Sequence, residues 1–312
     1  MHKSVLLNES IQNLNLSDDC IIVDCTLGYG GHSSEILKRI PNGHLYSFDQ
    51  DIDAINYSDT RLSSIGNNYD IIKSNFVNIK SELAKKGIEK VDGILYDLGV
   101  SSPQLDESDR GFSFHQDARL DMRMDQNQTL DAYYVVNNYD YNELVKIFYN
   151  YGEEKYSSSI AKGIINARSE KKIETTLELV EIIKNNVPEK YRREKHPARK
   201  IFQAIRIEVN DELNVFEKSL KDALDLINVG GRICVITFHS LEDKICANVF
   251  KSVSTVDKAL AKLPVIPDEY LPKFKVLKTI EPSVDELDEN NRARSAKLRI
   301  IERIGWYYEK KY

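Results

Sequence analysis

Residues 21 to 34 limit what this chain can fold into more than any other stretch. The apolar, β-branched run Ile21-Ile22-Val23 passes through Asp24-Cys25-Thr26-Leu27 into Gly28-Tyr29-Gly30-Gly31-His32, and Ser33-Ser34 then open a helical pattern. That order reads as a strand, a turn and a helix N-terminus. Glycines in the turn accept φ > 0 and let a ligand approach bare backbone, while the first helical turn offers N–H groups with no partner inside the helix. The spacing is not the dinucleotide fingerprint, because G-x-G-x-x-G counted from Gly28 needs glycine at 33, where Ser33 stands. An acid follows 18 residues after Gly31, at Asp49, closing the run His44-Leu45-Tyr46-Ser47-Phe48. A carboxylate at the tip of a second strand suits the two hydroxyls of a nucleoside ribose. These features favour S-adenosylmethionine over NAD, and a dinucleotide stays as the alternative.

The first hundred residues keep this rhythm. Strands fit 21–25, 44–49, 69–73 and 91–98, and helices fit 32–40, 52–63 and 77–86, with Asn42-Gly43, Gly66-Asn67 and Gly87 between them. Such β-α alternation specifies an α/β fold with a parallel sheet covered by helices on both faces. Ligands then bind beyond the C-terminal strand ends. Gly28, Asp49, Phe76 and Asp97 all fall at or just past such ends. From about 105 to 197 the rhythm stops, leaving polar turns and helical segments near 129–137, 142–149, 157–168 and 175–186. After Pro197 one long helix is expected, since Phe202, Ile205, Val209, Leu213, Phe216, Leu220, Leu224 and Ile227 recur at threes and fours over 26 positions. Gly230-Gly231 would end it before a strand at 232–238, with further strands at 275–280 and 296–303. The expected organisation is a sheet domain at 1–104 and 198–312 that carries a helical insertion at 105–197.

Composition narrows the class. No apolar run approaches the ~18 residues a membrane span needs, and Met1-His2-Lys3-Ser4 does not begin a signal peptide, so a cytoplasmic protein is expected. Cys20, Cys25, Cys234 and Cys246 form no C-x-x-C pair and read as buried reduced thiols, with no metal site. A net charge of −6 speaks mildly against a nucleic-acid partner, yet residues 190–200 hold six Lys or Arg and one acid, and Arg292, Arg294, Lys297 and Arg299 form a second basic stretch. Either run alone is more simply a solvated surface.

Three further motifs carry candidate chemistry. Gly93 to Val100 is a strand ending in Asp97, followed by Ser101-Ser102-Pro103-Gln104, which sets small polar groups beside the pocket. Methylation of an aromatic amine needs such acceptors, because the delocalised lone pair must be turned toward the sulfonium carbon. Asp117 to Asp125 alternates charge with Ala118, Leu120, Met122 and Met124, an extended segment that suits either a laced surface or a substrate loop. His239-Ser240 follows the fifth strand, with Ser240 the expected helix N-cap and His239 a possible substrate contact.

Assembled, the chain resembles the bacterial small-subunit ribosomal RNA cytosine-N4 methyltransferase family over nearly its whole length. The resemblance rests on His2, Val5 to Leu7, Glu9, Gly28 to Ser33, Asp49 to Asp51, Asp97 to Asp106, Arg110 to Phe114, Leu120 to Asp125, Phe202 to Asn210, Phe238 to Asp243 and Arg294 to Arg299. It implies a class I, Rossmann-like S-adenosylmethionine-dependent methyltransferase fold with an inserted helical domain. It also implies methyl transfer to N4 of a cytidine in the decoding region of 16S rRNA. Carried onto matching positions, the cofactor contacts would be Gly30, Gly31, His32, Asp49, Phe76, Asp97 and Gln104, with Ser101, Ser102 and Pro103 seating the amine. The chain departs from the family pattern at Ala118-Arg119, where members usually carry Gly-Pro. A DNA amino-methyltransferase is the rival enzyme reading, although Pro103 is followed by Gln104 where such enzymes place a second proline. An assembly factor with a vestigial pocket is the non-enzymatic rival, and tight cofactor uptake without turnover would favour it.

Overall fold

The structure is a computed structural model; it describes residues 4–100, 108–257, 259–262 and 264–305. The chain divides into two compact units, one of residues 4–99 with 213–305 and one of residues 100–212, within the described residues.

The first unit is built on seven strands: β1 (Ile21–Asp24), β2 (His44–Asp49), β3 (Tyr69–Lys73), β4 (Val91–Asp97), β5 (Ile227–Thr237), β6 (Phe274–Val276) and β7 (Lys297–Arg303). Their order across the sheet is β3-β2-β1-β4-β5-β7-β6. Neighbours among β1 to β5 run parallel, and only β7 opposes its neighbours. Strand residues alternate between two cores, as the period of two requires when both faces are covered. Val23, Ile94, Tyr96, Ile233 and Val235 enter one core with Phe216, Leu220 and Phe250. Ile22, Leu45, Leu95, Cys234 and Ile236 enter the other with Ile36, Ile40 and Leu62. All four cysteines are buried and free, as their spacing suggested. The sheet reverses its strand order between β1 and β4, so a crevice opens at the C-terminal ends of those strands.

The second unit is helical: Ala132–Asn138, Tyr141–Asn150, Ser157–Glu170, Thr176–Asn185, Glu189–Glu194 and Ala198–Asn210. Local chemistry starts several of them. Asp140 with Glu143, and Thr175 with Glu178, each form a reciprocal capping box. Leu144, Phe148, Ile160, Ile164, Leu179, Ile183, Ile201 and Ile205 make its core. The segment 117–125, expected to be extended, is irregular: only Arg119 makes a bridge, to Thr175, and Met122 takes a left-handed φ of 61°, while Leu120 and Met122 are buried. Its charges are used internally: Arg123 forks onto Asp121 at 2.8 Å and Arg119 reaches Asp131 at 3.1 Å.

Several expectations need correction. The long helix expected over 202–227 is two helices, Ala198–Asn210 and Glu212–Leu226, parted at Asp211 with φ 49°. Aspartate tolerates that left-handed conformation better than most residues. The apolar periodicity survives the break because each half buries its own stripe, Phe202, Ile205 and Val209 in the helical core and Phe216, Leu220 and Leu224 in the sheet core. Strand β5 begins at Ile227 and runs through Gly230-Gly231 instead of after them. The strand expected at 275–280 is only Phe274–Val276, with Ile280 adding a single bridge to Leu298. The second basic stretch lies in and before β7, where Arg299 forks onto Asp243 at 2.6 and 2.9 Å.

Candidate active site at the strand tips

The register of the sheet gathers the site. Asp24 pairs with Ser47 on one side and Leu95 on the other, so Asp49 and Asp97 each stand two residues further along the neighbouring strands. Between them the chain leaves β1 and turns through Gly28 (φ 49°) and Gly30 (φ 73°), the latter capping the helix Gly31–Leu37. Strand-end side chains anchor this turn, Asp24 accepting from the Thr26 N–H at 3.0 Å and Asp49 from the Gly28 N–H, and neighbouring elements brace it. Ser58 Oγ donates to the Gly28 carbonyl at 2.8 Å, and Arg61 donates to the Tyr29 carbonyl at 3.0 Å. A Cβ on Gly30 would stand 3.1 Å from Ser58 Oγ, and one on Gly31 would overlap the Ser4 hydroxyl at 1.9 Å. The bare backbone is therefore a requirement of packing as well as of ligand access.

Asp49 is the centre of the pocket's far side. Its Oδ2 accepts from the Gly28 N–H at 2.8 Å and its Oδ1 from the Asp51 N–H at 2.9 Å. Burial pushes its carboxyl up to about 6, and those backbone donors, with the charge of Asp51 acting the other way, partly offset it. Asp24 is deeper. It accepts from Ser33 Oγ at 2.7 Å and from the Thr26 N–H at 3.0 Å, and burial raises its pKa despite both bonds. Thr26 Oγ1 in turn accepts the Asp97 N–H at 2.7 Å, tying the β1 turn to the end of β4.

Asp97 and His32 meet at 3.5 Å between Oδ2 and Nδ1. Burial pushes the Asp97 carboxyl well up, reinforced by the nearby charges of Asp24 and Glu242, and pushes the His32 imidazole down to about 4. The His32 ring is therefore neutral near pH 7, and the contact is not an ion pair. Asp97 Oδ1 and His32 Nε2 are buried without a hydrogen-bond partner among the described residues. Two such atoms in one crevice fit a polar ligand that would complete them, since buried polar atoms are otherwise paired. A cation suits three neighbouring carboxyls better than an anion does.

Phe76 follows β3 in a single 3-10 turn started by Asn75, whose side chain accepts from the Val77 N–H at 2.9 Å. Its ring stands edge-on to Tyr96 at 5.7 Å, and its carbonyl accepts from Ser219 Oγ at 2.9 Å. On the other side, Gly99 (φ 98°) lies against the Phe238 ring. His239, not Ser240, is the N-cap of the following helix. Glu242 explains the difference: it accepts from the backbone of Phe238 at 2.7 Å and His239 at 3.2 Å, while its own N–H turns to His239 Nδ1. Ser101, Ser102, Pro103 and Gln104 lie outside the described residues. In the sequence Ser33 reads only as the opening of the helix; Thr26, Ser58 and Arg61 are given no role there, and their partners Asp97, Gly28 and Tyr29 lie 30 or more residues away in the chain.

His32 makes this crevice sensitive to acid. An unfolded chain would take up a proton near pH 6.5, whereas the native imidazole resists until about 4. Stability is thus lost as pH falls through that window, by about 3 kcal/mol. The buried carboxyls act in the opposite sense, so comparison with His32→Gln isolates the imidazole. Denaturant unfolding from pH 7 to 4 should show a shallower decline for the variant; parallel profiles would contradict the assignment.

A seven-stranded, mainly parallel sheet in this order, with a glycine turn after β1 and an acid at the tip of β2, defines a class I methyltransferase. A family model described as the MraW methylase family matches residues 1–304. The chain belongs to that family. A relative from Exiguobacterium sibiricum, named Ribosomal RNA small subunit methyltransferase H, is 55% identical over 306 residues, covering 97% of this chain and 98% of its own. Among solved structures, an rRNA methylase from Streptococcus thermophilus shares 13% identity at a TM-score of 0.45, covering 98% of this chain and 99% of its own. A Streptococcus mutans protein in complex with SAH gives 13% identity and a TM-score of 0.45, covering 97% of this chain and all of its own. No described helix is long and apolar enough to cross a membrane.

Proposed function

We propose that this chain transfers a methyl group from S-adenosyl-L-methionine to the exocyclic N4 of a cytidine in the decoding region of 16S rRNA in the small ribosomal subunit. The observation that carries the reading is near full-length identity of 55% to a relative named as a small-subunit rRNA methyltransferase, joined to a strand-tip pocket built for a cationic nucleoside. The donor supplies an electrophilic methyl on sulfur. Everything else falls to the protein. Asp49, ionised above about pH 6, accepts the ribose hydroxyls. Phe76 provides an apolar wall for adenine, Gly30, Gly31 and His32 offer backbone, and Gln104 completes the contacts. Asp97, drawn back to a carboxylate by a cationic ligand, holds the methionine ammonium.

On the acceptor side, Ser101, Ser102 and Pro103 seat the amine so that its lone pair points in line at the methyl. Orientation contributes more than a strong base, because the amine loses its proton readily once the methyl has moved. N4 lies on the pairing edge, so the cytidine is single-stranded or extruded when it reacts. The helical unit is the substrate unit, and residues 190–200 grip phosphates.

Small subunits from a strain lacking this protein, incubated with radiolabelled donor and the purified chain, test the reading. Label is expected in 16S rRNA and, after nucleoside mass spectrometry, in N4-methylated cytidine. No transfer, or label on another atom, overturns it.

A further inference from the structure

In the helical unit, a cluster of rings reaches from the core at Phe202 out to the surface at His115, and the methyl chemistry does not account for its outer members. The Phe114 ring stacks on His196 at 4.6 Å with an interplanar angle of 27°, lies 4.3 Å from the His115 ring, and meets Phe202 edge-on at 5.7 Å. Phe202 is buried and anchors the cluster from below; Phe114 and His196 are half-buried and His115 is exposed. His196 Nδ1 is buried with no hydrogen-bond partner among the described residues. Burial, with the charges of His115 and Lys184, holds the His196 imidazole below its ordinary range, which favours the neutral ring. Among the described residues no third metal-ligating side chain joins the two histidines.

The chain around this cluster is basic. Lys190, Arg192, Lys195 and Arg199 are exposed and make no ion pair among the described residues, whereas Arg193 pairs with Glu189 and Lys200 donates to the Glu153 carbonyl. In a chain of net charge −6 this surplus is local. Flat rings stack on any base, and unpaired cations flanking them neutralise phosphates; the two together are how proteins hold single strands. A protein partner also uses rings and charges, and the intact-subunit comparison below separates that occupant from single-stranded RNA.

We propose that Phe114, His115 and His196 form a stacking platform for a nucleobase of single-stranded RNA, with Arg192, Lys195 and Arg199 meeting the flanking phosphates. The platform rests on the RNA-methylating reading above and concerns a base other than the one methylated. The probe is a short single-stranded oligoribonucleotide carrying one fluorescent adenine analogue, titrated with the full chain. Wild type should quench the fluorophore on binding. Phe114→Leu, which keeps apolar volume over Phe202, and His115→Ala, at an exposed position, should each weaken binding about tenfold and reduce the quench, with the salt dependence unchanged. Arg199→Gln should keep the quench and lower the salt slope by about one phosphate.

Thermal unfolding checks Phe114→Leu, and the exposed His115→Ala carries the test if that variant is unstable. Binding and quench within about twofold of wild type for both ring variants would overturn the platform. So would a defect seen on intact small subunits but not on the oligonucleotide, which would assign the surface to a ribosomal protein. Methyl transfer by the wild-type chain is measured separately: transfer with unaffected ring variants sinks the platform alone, and no transfer sinks the functional reading.

Discussion

Replacing Asp49 by alanine is expected to weaken uptake of S-adenosylmethionine by at least about a hundredfold, read by titration calorimetry. Two separate losses add. The carboxylate no longer accepts two ribose hydroxyls, and charge-assisted bonds of that kind are worth about 1.5–3 kcal/mol each. The N–H groups of Gly28 and Asp51, now bonded at 2.8 and 2.9 Å, also lose their acceptor, and the glycine turn loses its anchor to β2. The same residue sets a pH dependence. Burial pushes Asp49 up to about 6 from an ordinary 3.8, so the ionised form that accepts hydroxyls is present only above about pH 6. Affinity should fall by up to about tenfold per pH unit below that point and level off above it. In the ligand-free fold the sign is reversed: keeping this acid ionised at neutral pH costs about 3 kcal/mol, relieved as pH falls through about 6. Affinity that stays flat from about pH 7.5 to 5.5 would remove Asp49 from the ribose.

The second large effect is structural. Asn210→Ala is expected to destabilise the helical unit by about 3–5 kcal/mol, seen as a lowered denaturation midpoint. The Asn210 side chain accepts from the Met124 N–H at 2.8 Å and donates to the carbonyls of Met122 at 2.8 Å and Arg206 at 2.9 Å. Met122 holds a left-handed φ of 61°, unusual for an unbranched bulky residue. Removing the clamp leaves buried backbone groups unpaired, each costing about 1–3 kcal/mol. The left-handed conformation itself costs about 1–2 kcal/mol, and its relaxation in the variant recovers part of that loss. Asn210→Asp should be milder, since the acceptor for Met124 is kept. An alanine variant as stable as wild type would show that the segment 117–125 is held by Leu120 and Met122 packing alone.

Much of the sheet unit was legible in the residues. Ile21-Ile22-Val23 before a glycine turn, and the spaced apolar runs ending in Asp49 and Asp97, mark strands and their open ends through local chemistry. Asn75, Asp140 and Thr175 sit at element starts for equally local reasons. The break at Asp211 was not legible. Hydrophobic spacing reports which side of a helix is buried and says nothing about which core receives it, so two helices with aligned stripes read as one. The N-cap at His239 was missed for a related reason. Serine is the better cap by propensity, and the acceptor role passed to histidine because Glu242 returns a bond to its backbone.

The residues alone determined the alternation of the first four strands with helices, their parallel direction and the acids standing at their tips, because period, turn chemistry and capping act over a few neighbouring positions. The antiparallel β7 was settled by the sheet. Tertiary structure decided what those acids are. Asp24 raised, Asp49 held near 6 and His32 driven to about 4 follow from what surrounds each group after burial. Strand register and packing between segments far apart in the chain set those surroundings. The free energy of a buried charge depends on its neighbours and its distance from water, and neither is written in the position of a residue along the chain.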